Sequence, residues 1–313
     1  MSDLKKLFKR DKIFLLCLAG IVGLILVFGF FNIHRSLEEH REWQKALSAG
    51  ANADLLTSWG HSFNDVWEQG VLDYDYLSMI EIIFIVIIGA QIIKWSRLEG
   101  KNGREFQNLL PVKSASHITF DLICGILFFW VTVIFSGFLL TFLVRQSGFE
   151  YISKSYWDMW KELLREIVVF SFSYSLIVFA RKITNQIYGM FFAVFVIWYT
   201  MMLIGLIVDQ PIGFIWDWYT SERNGEYMIL LLLTAVLVFL AYWCDKKRDI
   251  AGGGTFSFKT VHYLMLIAVC ADMSYTFYDT GFIKGQILRM MVSILLAGGI
   301  SVGINYLMKA KKI

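Results

Sequence analysis

Apolar residues in this chain fall in long runs, separated by shorter charged stretches. A soluble amphipathic helix would place apolar residues three or four apart, and a half-buried strand would alternate them. Here the runs are apolar on all sides for about 20 residues, the length needed to cross a bilayer. They cover Ile13–Ile33, Tyr76–Ile93, Ile118–Val144, Leu163–Ala180, Ile187–Val208, Met228–Cys244, Val261–Tyr278 and Ile287–Met308. Backbone groups in lipid must be satisfied within the segment, so these runs predict helices; barrel strands would alternate apolar with polar. The expected fold is all-α: a polytopic helix bundle forming one transmembrane domain over residues 1–313. Val261–Tyr278 is the least regular run, because Asp272 and Ser274 interrupt it.

Composition supports this reading. The chain is 57% hydrophobic and 18% charged, where a soluble domain has about half apolar and a quarter charged residues. The basic start, Met1–Lys12, precedes a run too long for the apolar core of a signal peptide, and no small-residue cleavage pattern follows it. It therefore reads as a retained first span. Cys17, Cys124, Cys244 and Cys270 lie in or beside apolar runs without CxxC spacing. They read as small packing residues, not as a disulfide or zinc framework.

Lysine and arginine set the expected orientation. With the N-terminus in the cytoplasm, the inner segments carry Lys5, Lys6, Lys9, Arg10 and Lys12, then Lys94, Arg97, Lys101, Arg104 and Lys113. Arg181, Lys182, Lys246, Lys247, Arg248 and Lys259 follow, and Lys309, Lys311 and Lys312 close the chain. Most carboxylates fall outside. An even number of spans returns the C-terminus to the cytoplasm, which predicts a multi-pass membrane protein with both termini inside.

On the outer side, His34–Asp75 forms a long polar insertion. Within it Leu55, Leu56, Trp59, Phe63, Val66 and Trp67 recur at helical spacing, with Asn52 or Asp54 as cap, predicting an amphipathic surface helix. Tyr156, Trp157 and Trp160, and the stretch Pro211–Tyr219, read as interfacial aromatic belts. His34, His40 and His61 share the outer loop with Glu38, Glu39 and Glu42, but scattered surface histidines explain them better than a metal site. The chain has no GxxxxGK[ST], HExxH or GxSxG motif. Gly252–Gly254 reads as a loop hinge. No catalytic, cofactor or metal site is therefore assigned, and nothing points to nucleic acid.

Ionisable residues within spans are costly and mark pairing or function. Glu81 is placed about 8 Å into the second span. Asp121 is placed near the inner end of the third, where it can snorkel or cap. Asp272 and Arg289 lie in spans joined by a short turn and are expected to form a buried pair.

The loop Lys94–His117 carries the most specific pattern. Phe106, Leu109 and Leu110 line one face of a short helix that Pro111 stops. Such a helix can dock into a groove on a soluble partner, although a plain interfacial helix fits the composition equally well. Glu99, Gly103, Leu109, Leu110, Pro111, Val112 and Lys113 match the loop of type-two ABC exporter permeases, with Arg104 where a threonine is usual. The chain resembles that family. A second resemblance lies in Tyr242–Lys259, which looks like the basic loop of bacterial members that add two spans to a six-span core; Asp249 and Ile250 replace the usual Ser-Glu.

The resemblance implies a permease that works as a dimer with itself or a similar permease. Two separate ATPase subunits would supply ATP and magnesium chemistry, and this chain would hold no ATPase site. It also implies that Glu99, Gly103, Arg104, Phe106, Leu109, Leu110 and Pro111 form the coupling helix region. Aromatic and methionine residues in the spans suit an amphipathic cargo: a peptide, lipid or drug. The alternative is an ion- or proton-coupled carrier using Glu81 and Asp272. That reading lacks paired broken helices, and a membrane enzyme lacks a convergent catalytic constellation.

Overall fold

The computed structural model describes residues 3–48, 76–99, 114–146, 156–184, 187–208, 225–247 and 267–269. Among them no strand is formed, and the elements are helices. They are α1 (Asp3–Arg10), α2 (Lys12–Ser48), α3 (Ser78–Glu99), α4 (Ser114–Leu122), α5 (Phe128–Gln146), α6 (Tyr156–Ile183), α7 (Ile187–Val208) and α8 (Gly225–Lys247). A π-helical turn, Ile123–Leu127, joins α4 to α5 without a break in the rod.

Four stretches are long and apolar enough to cross a membrane: Lys12–Glu38, Ser78–Arg97, Ala115–Gln146 and Trp160–Ile183. Their exposed side chains are large and apolar, including Leu24, Phe28 and Phe31 of α2 and Phe138 and Phe142 of α5. Water would penalise such a surface; lipid does not. The protein is membrane-embedded. Among the four, the α2 stretch is least buried, at 11%, and the α6 stretch most, at 61%. So α2 presents most of its circumference to lipid while α6 is lined by neighbours.

The helix α2 does not end where its apolar run ends. It continues through His34 to Ser48, 37 residues in all, or about 55 Å. The first third of the expected His34–Asp75 insertion is therefore a continuation of the first helix. Its residues explain this: no glycine or proline occurs between His34 and Gly50, and His34 Nε2 faces Glu38 Oε1 at 3.4 Å, one turn on. The amphipathic segment expected at Leu55–Trp67 lies outside the described residues, as do Pro211–Tyr219, Asp272 and Arg289.

The chain divides into two compact units, Met1–Lys94 with Thr119–Phe170, and Trp95–Ile118 with Ser171–Ile313. In the first, three phenylalanines lock α3, α5 and α6 together. Phe129 and Phe170 stack at 3.9 Å, and Phe84 meets Phe170 edge-on at 4.9 Å. Offset and edge-on ring pairs are the favoured geometries. Without a hydrophobic drive between spans, close backbone approach and polar contacts hold such bundles. Gly29 of α2 sits directly against Met79 of α3, and Gly137 of α5 against Trp160 and Leu163 of α6. Trp160, expected at an interfacial belt, also meets the Phe138 ring at 5.1 Å. The buried Ser136 donates to the Val133 carbonyl at 2.9 Å, so the Tyr76 hydroxyl is the donor in its 2.8 Å bond to Ser136 Oγ.

In the second unit Lys182 Nζ meets Asp245 Oδ1 at 2.8 Å, tying the C-terminal ends of α6 and α8. Thr184 Oγ1 donates to the Ala180 carbonyl at 2.7 Å and Arg181 Nη1 to the Thr184 carbonyl at 3.3 Å. These bonds satisfy carbonyls that the end of α6 would otherwise leave open.

Candidate functional site

Charged side chains converge in the first unit at the end of the bundle where α1, α3 and α4 meet. The site starts from one residue, Asp11, which stands between α1 and α2. The Asp11 N–H bonds to the Leu7 carbonyl and the Leu15 N–H to the Asp11 carbonyl, both at 2.9 Å. The helical ladder thus passes through Asp11.

Arg10 grips this carboxylate with two bonds, Nε to Oδ1 at 2.6 Å and Nη2 to Oδ2 at 2.9 Å. Such a forked pair is the strongest common side-chain contact. Lys94 Nζ of α3 approaches Asp11 Oδ2 at 3.3 Å and Asp121 Oδ1 of α4 at 2.8 Å. Gln91 Nε2, one turn before Lys94, donates to the same Asp121 oxygen at 2.7 Å. The charges alternate along the chain Arg10, Asp11, Lys94, Asp121 and cancel. Phe120 and Phe14 offer their rings to Lys94 Nζ, at 4.4 and 5.9 Å from the centroids, a contact that strengthens when desolvated. Phe8 of α1 closes the site by packing edge-on against Phe120 at 4.9 Å.

The side chains of Lys94 and Asp121 are only 8% and 12% exposed. Unpaired, such charges would be very costly; paired and hydrogen-bonded they persist. Arg10 Nη1 is buried without a partner, so the cluster is not fully satisfied. Burial by itself would raise the Asp11 carboxyl, but the Arg10 bond and the Lys94 charge outweigh it and hold Asp11 below the usual carboxylate range. Arg10 is raised in turn, chiefly by the same hydrogen bond and against its burial.

Asp121 therefore does not snorkel to water, one of the two roles the sequence suggested. It is buried because α3 brings a lysine and a glutamine to it. Lys94, counted among the loop cations, is likewise inside the bundle. Glu81 lies in the first turn of α3, and its side chain is exposed. Glu162 and Arg165 of α6 pair at 3.1 Å, and Glu166 feels the charges of Arg165, Glu81 and Glu162. Glu99 ends α3. Gly103, Arg104, Phe106, Leu109, Leu110 and Pro111 lie outside the described residues.

Asp11, Gln91, Glu166 and Asp245 escaped the sequence reading. Gln91 and Lys94, three apart at the end of an apolar run, were the available sign of a shared polar face. Glu166 stood inside the fourth predicted span. Among the described residues no three His, Cys, Asp or Glu side chains are grouped to hold a metal. Cys17, Cys124 and Cys244 are free thiols.

The arrangement is a network of ion pairs and hydrogen bonds. It joins the start of the first membrane helix to both flanks of the loop that runs from Lys94 to Asp121. Compared with family models, with curated proteins and with solved structures, the chain matches none.

Proposed function

We propose that this chain is the permease subunit of an ATP-driven ABC exporter, working with a second identical or similar permease and two separate ATPase subunits. The observation that carries the reading is the loop pattern from Glu99 to Pro111, standing on a base that Lys94, Asp121 and Asp11 hold together. A lever needs a stiff root. A push on the loop by a partner would otherwise be lost in bending the ends of α3 and α4. With Lys94 bonded to Asp121 and Asp11, the same push turns α2, α3 and α4 as one piece. In this reading Phe106 and its apolar neighbours seat the ATPase, and Glu99 passes the motion to α3. Both termini are cytoplasmic in a bacterial plasma membrane, six spans form the core, and two C-terminal spans are added. The cargo is amphipathic, and the two permeases rock between inward- and outward-open states.

A carrier driven by ions or protons is the second reading. The observation favouring it is the group of carboxylates formed by Glu81, Glu162 and Glu166, with Arg165 among them. Intramembrane acids of this kind serve as relays in transporters.

Co-purification separates the two. The tagged full-length chain should bring an ATPase with it from its own host. Phe106→Ala should weaken that association while membrane insertion is unchanged, because truncating an aromatic anchor costs about 2 kcal/mol or more. Glu99→Ala should leave the complex assembled and lower cargo-stimulated ATP hydrolysis. Cargo transport by the purified chain alone, driven by an ion gradient, would overturn the exporter reading.

A further inference from the structure

An open groove of about 560 Å³ runs along the lipid-facing side of the first unit, between the start of α2 and the π turn that joins α4 to α5. Its walls are apolar: Leu16 and Ala19 on one side, Leu127 and Val131 on the other, with Phe8 at one end. Leu16, Leu127 and Val131 are each more than half exposed, so the groove opens toward the bilayer. The π turn Ile123–Leu127 contributes to its floor and wall. Such turns are uncommon, and they gather at functional positions.

One polar side chain lines this groove, and it is a cation, Lys12. Lys12 begins the first membrane-crossing stretch, which puts its ammonium at headgroup depth. The helical ladder is continuous through Asp11. Lys9, Lys12, Leu16, Ala19 and Gly23 therefore follow one another at three- and four-residue steps on a single face. Lys9 and Lys12 are both exposed. Neither makes an ion pair among the described residues. Asp11, beside Lys12 in the sequence, is held by Arg10 and Lys94. The face thus carries free positive charge at its end and an apolar trough about 10 Å long beyond it. Basic pockets beside membrane helices suit anionic lipid headgroups.

We infer that this groove is a binding site for an anionic phospholipid of the surrounding bilayer. One acyl chain lies between α2 and α5, and the phosphate rests against Lys12 and Lys9. The ligand would bridge α1, α2 and α5 beside the charged cluster. This inference is independent of the exporter reading and holds for any membrane protein with this surface.

The test uses the full-length protein in a neutral detergent, titrated with dioleoylphosphatidylglycerol or dioleoylphosphatidylcholine and read by native mass spectrometry. Phosphatidylglycerol should bind more tightly. Each lysine near the anionic headgroup is worth about fivefold in affinity, so Lys9→Gln with Lys12→Gln should weaken phosphatidylglycerol about 30-fold and leave phosphatidylcholine unchanged. Both positions are exposed, so helix content should not change. Ala19→Trp, which fills the trough, should expel both lipids. Equal affinity for the two lipids, or phosphatidylglycerol binding untouched by the lysine changes, would overturn the inference. So would an Ala19→Trp protein that keeps its lipid and loses a second protein copy, since the groove would then be a seat for another chain.

Discussion

Lys94 and Asp121 stand 27 residues apart in the sequence and 2.8 Å apart in the fold. The pair closes the base of the one loop whose pattern points to a partner. Lys94 also faces Asp11, so removing it leaves two carboxylates with one fewer cation between them. Lys94→Leu should destabilise the detergent-solubilised protein by about 3–5 kcal/mol, the cost of breaking a buried pair from one side. Lys94→Leu with Asp121→Leu should recover much of the loss. Thermal unfolding of the two single variants and the double variant gives the coupling. Simple additivity would mean that the two side chains do not depend on each other.

Asp11 gives the cluster a pH dependence of known sign. Its carboxyl is held below its ordinary value of 3.8. The folded state therefore keeps the charge at pH values where the unfolded chain has taken up a proton. That contribution is complete above the ordinary value and is lost as pH falls through the lower, folded value. Other carboxylates titrate in the same window, so the informative quantity is a difference. Unfolding midpoints of wild type and Asp11→Asn, followed from pH 6 to pH 3, should lie apart at the upper end and converge at the lower. Curves that stay parallel would show that Asp11 does not carry the linkage.

Long apolar runs made the helices legible. A run such as Leu15–Phe31 has no face that water could accept, so its length and state follow from composition. The end of α2 was not legible in the same way. His34–Ser48 changes from apolar to charged, which reads as leaving the membrane, yet its residues are good helix formers and the backbone continues. Hydropathy marks where lipid stops, not where the helix stops. The charged cluster was hidden for a different reason. Asp11, Lys94 and Asp121 each sit at the edge of a span, where a charge facing water is commonplace. Only the packing of α1, α3 and α4 turns three edge charges into one buried group. The π turn at Ile123–Leu127 left no mark that periodicity can detect.

Gly137 tests how tightly α5 and α6 are fitted. A Cβ there would stand 2.7 Å from Leu163 Cδ1 and 3.1 Å from the Trp160 ring. The ring also packs edge-on against Phe138 at 5.1 Å. Gly137→Ala should therefore cost about 1–3 kcal/mol through overpacking. Leu163→Ala alone should cost about 2–5 kcal/mol as a cavity. Combined, the two should cost less than their sum, because the new methyl enters the space that Leu163 leaves. A sum that is strictly additive would place the clash elsewhere.

The orientation of the bundle can be read from one pair of positions. α2 is a single helix of 37 residues, about 55 Å long, against a hydrocarbon core of about 30 Å. Its two ends must then face opposite sides of the membrane. On the proposed orientation the end carrying Lys5, Lys6, Lys9, Arg10 and Lys12 is cytoplasmic, which would send Ser48, the last residue of α2, outside. If α3 crosses back, Ser114, the first residue of α4, would again be inside. The native thiols interfere little with this test. Cys17 lies roughly 8 Å along α2 from Lys12, within lipid, and Cys124 and Cys244 are buried; Cys270 is replaced by serine in the test protein. A membrane-impermeant maleimide added to intact cells should label Ser48→Cys and should fail with Ser114→Cys until the membrane is opened. The reverse pattern would invert the orientation and put the loop between Lys94 and Asp121 out of reach of any cytoplasmic ATPase. Equal labelling of both positions would mean that α2 and α3 do not cross the membrane as a pair, and the bundle itself would have to be redrawn.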